Sequence, residues 1–401
     1  MYLLGEALNL KKKKTVFLVS LIAILLVSVF GVRLLLSVER PEGEEYKALA
    51  EQLLSEAKKE FETIRGVSVR EVVLEVVNQI WVTQNWGVAY VDTEEITMEE
   101  NVYKALFMIS QDANLTDVQL EWTGMFHAAK WNGKIYVVEE NFDVTDGFKA
   151  TSTFVHELTH IMQETYSLPT RTTFDGSKAL TSLKEGDATL MADTFKNDGV
   201  VPPSAEVSVP GTSGLPESIN KLNRFVYRYG VEFVKALHEQ GGWTAVNDAY
   251  ANPPTTTEQI MHPEKYFAQE EVKTIEVASL NADWTLKKTD RFGEYFIFVM
   301  LDNWLSENDA ELAAEGWEGD VIKYYEKDND FLFTWNIVWN SEDDAYEFYS
   351  NFNDMLYEAS AEKHNCSYWS AYGRYISIQW NENSTLIINS ADETLIQQPI
   401  L

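Results

Sequence analysis

In Thr153-Phe154-Val155-His156-Glu157-Leu158-Thr159-His160 two histidines stand four residues apart with a glutamate directly after the first. Both rings meet only if this stretch is a helix, because positions four apart then lie on one face. The spacing therefore predicts a helix from about Ser152 to Glu164. Phe154, Leu158, Ile161 and Met162 are its buried side, and the histidine face opens to a cleft. Two imidazoles on one face can hold a single metal ion, and Glu157 beside them can reach a water there without itself being a ligand. The H-E-x-x-H spacing thus points to zinc-assisted hydrolysis.

Composition narrows the partners. A formal charge of −31 over 401 residues excludes nucleic acid as an expected partner, since a polyanion is repelled. The hydrophobic share of 45% is enough to build packed cores. Cys366 is the sole cysteine, so no disulfide can form within the chain. Thr15 to Leu36 is almost wholly apolar, with Lys11 to Lys14 before it and Glu39, Glu42, Glu44 and Glu45 after it. A run of that length can cross about 30 Å of hydrocarbon as a helix. The basic flank places residues 1–14 in the cytoplasm as a short tail, residues 15–36 in the membrane, and the bulk of the chain outside. The run is longer than the apolar core of a cleaved signal peptide and lacks its small-residue cleavage site.

The remainder reads as α+β. Residues 37–65 carry a juxtamembrane helix with Tyr46, Leu49, Leu53, Ala57, Phe61 and Ile64 at helical spacing, and a second helical pattern follows Gly66. Asn132-Gly133 between two short apolar runs signals a hairpin, whose edge could hold an extended peptide. Residues 66–270 form the expected main domain, chiefly helical with this small sheet, and residues 271–401 a C-terminal α+β module. In that module Phe331–Trp339 and Tyr375–Trp380 read as strands, and Glu342–Ala359 as an amphipathic helix between them.

Catalytic zinc takes three protein ligands and keeps one position for water. Glu185, in Leu183-Lys184-Glu185-Gly186-Asp187-Ala188 on a helix that begins near Ser182, is the expected third ligand. Ser182-x-x-Glu185 also reads as a capping box, which would occupy Glu185 differently. Asp187 is the other ligand candidate, or else a group that orients a histidine.

HELTH followed by EGDA resembles the gluzincin zinc metallopeptidases, in which two histidines and a downstream glutamate bind the metal. With Thr257-Glu258-Gln259-Ile260-Met261-His262-Pro263-Glu264-Lys265-Tyr266 it also resembles a set of membrane-linked or secreted H-E-x-x-H proteins. The resemblance covers roughly residues 66–270. It implies a zincin-like fold, zinc on His156, His160 and Glu185, and Glu157 as general base in hydrolysis of peptide bonds. It further implies an electrophile for the developing oxyanion, with His262 and Tyr266 as candidates. Against that role, Thr255-x-x-Glu258 reads as a capping box and His262-Pro263 as a helix end. The expected protein is a membrane-anchored extracytoplasmic peptidase acting on peptides or proteins. The competing expectation is a non-enzymatic, metal-stabilised ectodomain that binds partners. Oligomeric state is not legible in the sequence.

Overall fold

The computed structural model describes residues 41–87, 93–202, 215–275 and 283–396. The expected tail and membrane span lie outside these residues, and no described helix is long and apolar enough to cross a membrane. The described residues from Leu53 onward form one compact unit, which holds both sheets.

The fold is mixed α+β with one small and one larger sheet. Helix α1 (Gly43–Arg65) leads to β1 (Leu74–Val77), α2 (Gln79–Val82), α3 (Thr93–Ala105) and α4 (Leu115–Gly124), then to β2 (Ala128–Trp131) and β3 (Lys134–Val138). Three long helices come next: α5 (Gly147–Gln163), α6 (Phe174–Lys196) and α7 (Glu217–Ala249), the last broken at Gly241–Gly242. Short helices α8 (Thr257–Met261) and α9 (Pro263–Phe267) lead to β4 (Thr285–Asp290), α10 (Gly293–Asp302) and α11 (Glu307–Ala314). The chain continues through β5 (Trp317–Lys327), β6 (Asp330–Trp339), α12 (Glu342–Glu358), β7 (Glu362–Lys363), β8 (Tyr368–Ala371), β9 (Arg374–Asn381), β10 (Ser384–Ser390) and α13 (Glu393–Ile396).

The small sheet has the order β1-β3-β2. Its hairpin turns at Asn132 and Gly133, both at positive φ (47° and 71°), as a tight two-residue turn requires. The helical pattern expected after Gly66 is corrected here. Leu74–Val77 is a strand pairing parallel with β3, and only Gln79–Val82 is an α-helix. Consecutive β-branched valines favour the strand, and the partner that decides the matter lies far along the chain.

The larger sheet is antiparallel, ordered β4-β5-β6-β10-β9-β8-β7. Alternation along β6 sends Phe333, Trp335, Ile337 and Trp339 to one face and Leu332 to the other. The first face shares one apolar cluster with Leu183 of α6 and Phe225 and Phe233 of α7. Residues on both sides of position 271 therefore contribute to a single core.

Asp320 ties this core together. Its buried carboxylate accepts the Phe292 and Gly293 N–H groups at 2.9 and 2.8 Å, and the indole N–H of Trp317 and Trp335, each at 3.0 Å. Burial lifts its pKa to about 6 even against these donors. Asp320→Asn leaves one acceptor oxygen where two were used and turns an amide donor toward N–H groups. The expected loss is about 2–4 kcal/mol, from donors stranded without an acceptor. Urea unfolding measures it, and a loss below about 1 kcal/mol would reject this account.

Candidate metal centre

Helix α5 begins earlier than the sequence spacing indicated, because Asp146 caps it by accepting the Lys149 N–H. Phe154, Val155, Leu158, Ile161 and Met162 are buried. His156 and His160 keep 21% and 13% of their side-chain surface. That partial exposure leaves both rings accessible from a cleft.

Helix α6 starts at Phe174, capped by Thr173, well before Ser182. Ser182 is mid-helix, its hydroxyl donating to the Lys178 carbonyl at 2.8 Å. The capping-box alternative for Glu185 therefore falls away, and Glu185 faces the histidines instead. Helices α6 and α7 cross without room for side chains. A Cβ on Gly186 would lie 2.1 Å from the Gly230 carbonyl oxygen, and one on Gly230 would lie 2.4 Å from that of Ser182. Such contact admits only glycine, and it brings Tyr227, one turn before Gly230, to the same cleft.

The donor atoms form a nearly regular triangle. His156 Nε2 lies 3.2 Å from His160 Nε2, and Glu185 Oε2 lies 3.4 Å from the first and 3.5 Å from the second. Tetrahedral zinc with bonds of about 2.0–2.2 Å holds its donors about 3.3–3.5 Å apart. The three residues thus match one face of such a coordination shell, and all three line the cleft.

Surrounding hydrogen bonds fix the His160 ring. Gln163 donates its side-chain N–H to the Lys184 carbonyl at 2.9 Å, so its Oε1 is the acceptor facing His160 Nδ1, also at 2.9 Å. In its neutral form, the one that can ligate a metal, His160 therefore carries its proton on Nδ1 and presents the Nε2 lone pair to the centre. Behind Gln163 lies fully buried Asp187, 3.4 Å from Gln163 Nε2. Asp187 accepts from Arg65 Nη1 at 2.5 Å, Arg65 Nη2 at 3.1 Å and the Tyr250 hydroxyl at 2.8 Å. With its oxygens so engaged, Asp187 stands behind Gln163 and is not among the donors.

Electrostatics follow from this crowding. Burial pulls the His160 pKa down, but Glu185 foremost, with Glu157 and Gln163, outweighs it and pushes the value up to about 9. Burial raises Glu185, while His160 and His156 hold it well below the usual carboxylate range. Burial drives the Tyr227 phenol well above its ordinary value, reinforced by Glu185 and Glu157, so it remains an O–H donor.

Glu157 is 5% exposed, and its Oε2 is buried with no hydrogen-bond partner among the described residues. An orphaned carboxylate oxygen beside three metal-type donors fits a group that receives a proton from a bound water. The cleft is lined by His156, Glu157, His160, Glu185 and Tyr227, and also by residues 126–130, which include the start of β2. Strand β2 ends the small sheet, so one of its edges has no strand neighbour among the described residues.

His262 and Tyr266 do not join this site. Neither lines the cleft. His262 Nε2 lies 3.1 Å from Glu294 of α10, and the Tyr266 hydroxyl donates to the Asn252 carbonyl at 2.9 Å. The cap nearby is Thr256 with Gln259, one residue beyond the expected pair. Tyr227, which does line the cleft, has no motif to mark it in the sequence, only Gly186 and Gly230 at the helix crossing.

A family described as a domain of unknown function, DUF8575, matches residues 284–398, a stretch that takes in β4 through α13. The cleft lies outside the matched stretch. No curated protein and no solved structure matches the chain.

Proposed function

We propose that this chain is a gluzincin-like zinc metallopeptidase, anchored in a membrane by residues 15–36 and acting outside it on peptides or proteins. One observation carries the reading: a His156–His160–Glu185 triangle of metal-donor dimensions lies beside the unpartnered, buried Glu157 Oε2 in an open cleft. A purely structural site would have no use for that carboxylate. When bound, zinc supplies Lewis-acid polarisation of the scissile carbonyl and lowers the pKa of a water toward about 7. Glu157 takes the proton of the attacking water and returns it to the leaving amine. Tyr227 donates its O–H to the carbonyl oxygen as negative charge develops there. The open edge of β2 aligns an extended peptide through main-chain hydrogen bonds.

The test is a diverse peptide library incubated with the wild-type chain and with Glu157→Gln, products being read by mass spectrometry. Cuts made only by the wild type support the proposal. Identical product patterns would sink it. Tyr227→Phe is expected to lower kcat by about 10²–10³-fold, as loss of one oxyanion donor does elsewhere. Zinc stoichiometry should stay at the wild-type level. A kcat within about two-fold of wild type would remove Tyr227 from the mechanism.

A further inference from the structure

Lys149, Thr153, His156 and His160 succeed one another at intervals of four, three and four residues along α5, and all four line the cleft. They form one stripe, with Lys149 two turns before His156. At that end of the cleft the rings of Phe148 and Phe195 stack with centroids 5.5 Å apart, and Phe148 is 59% exposed. The next residue on each helix is a lysine, Lys149 on α5 and Lys196 on α6, and both line the cleft. The stack thus brings two ammonium-bearing side chains to one mouth, above an aromatic wall.

The three lysines there are not equally engaged. Lys196 pairs with Asp193 at 2.6 Å, and Lys130, on β2, pairs with Glu164. Lys149 is exposed and makes no ion pair among the described residues. In a chain of net charge −31, an unneutralised lysine facing a cleft focuses the local field toward anions.

We infer that Lys149, assisted by Lys196, forms a carboxylate-binding subsite, so that the preferred substrate bears a carboxylate about three residues from the bond to be cut. This rests on the peptidase reading. The spacing is physical: seven helical residues advance about 10 Å, the length of about three residues of extended peptide. The carboxylate comes from an Asp or Glu side chain or from the peptide's own C-terminus.

The experiment walks Glu, Gln or Lys through each position of fluorescein-labelled nonapeptides, each made with a free and with an amidated C-terminus, and offers them to the full chain. The expected result is a kcat/KM about two- to five-fold higher for Glu than for Gln at the third position on one side of the cut. Lys149→Glu should reverse that order in favour of Lys. Dependence on the free C-terminus in place of the Glu position would identify the terminal carboxylate as the ligand. Glu157-dependent cleavage that ignores charge at every position and at the terminus overturns the subsite and leaves the peptidase reading intact. Binding of the same peptides to zinc-loaded Glu157→Gln, measured by fluorescence anisotropy, reads the subsite without turnover. Should no peptide be cut, tighter binding of the Glu or free-acid peptide that Lys149→Glu abolishes still supports it. Equal binding of all peptides overturns it.

Discussion

Glu157→Gln is expected to bind zinc as the wild type does and to lose peptide hydrolysis by about 10²–10⁴-fold, the range that general-base catalysis contributes. Its carboxylate is no part of the donor triangle, so its neutral isostere should leave the site's metal affinity intact. His156→Ala and His160→Ala should lose both zinc and turnover. Each opens a corner of a triangle whose sides are 3.2, 3.4 and 3.5 Å. Glu185→Gln should behave like the histidine variants, because it removes the one anionic donor. Loss of a direct ligand should exceed the roughly 10–100-fold fall in affinity that loss of an outer partner brings. Zinc titration by calorimetry separates the two groups without reference to activity. Thermal unfolding gives a second measure: zinc at about 1,000 times its Kd adds about 4 kcal/mol to any form that binds it only when folded. Wild type and Glu157→Gln should show that gain, and His160→Ala should not. Turnover near the wild-type rate in Glu157→Gln, or any turnover after complete chelation, would end the proposed mechanism.

The features legible in the sequence were those that depend on neighbours within one helix or one hairpin. His156 and His160 reach one point because a helix brings residues four apart together, and Asn132-Gly133 turns because both residues accept positive φ. The C-terminal strands and the helix between them arise from alternation and from the spacing of Ala345, Phe348, Phe352 and Leu356. Positions set by distant partners were hidden. Leu74–Val77 becomes a strand because it pairs with Ile135–Val138. His262 is engaged by Glu294 on a helix that lies beyond it in sequence. Asp320, in Trp317-Glu318-Gly319-Asp320, shows no chemistry in one dimension and four converging N–H donors in three. Tyr227 arrives through a helix crossing at glycines, a packing fact whose sequence trace is two residues without side chains. Local periodicity therefore placed His156, Glu157 and His160 together on one helix beside the cleft. Tyr227 reaches that cleft only through tertiary contact, and only tertiary contact takes His262 and Tyr266 elsewhere.

Asp187→Ala is expected to cost about 3–5 kcal/mol, the effect of removing one partner from a buried ion pair. Arg65 and Asp187 have fully buried side chains, and the guanidinium also donates to Asn247 at 2.7 Å and lies 4.3 Å over the ring of Trp243. Without Asp187, that charge has no anion at its contact and the Tyr250 hydroxyl loses its acceptor. The same carboxylate stands behind Gln163, which fixes the His160 ring, so the loss should spread to the metal centre. Zinc affinity should fall by about 10–100-fold in Asp187→Ala although no donor is touched. Arg65→Met in the same chain distinguishes the two effects. Removing the stranded cation should restore much of the stability, since an ion pair exchanged for apolar side chains is often neutral or better. It should leave zinc affinity low, because the support behind Gln163 is still missing. Urea unfolding and zinc calorimetry on Asp187→Ala and on the double variant give the two numbers. Recovery of both together would mean that Asp187 acts on the centre only by holding the fold. Recovery of stability alone would make it a positioning residue for His160.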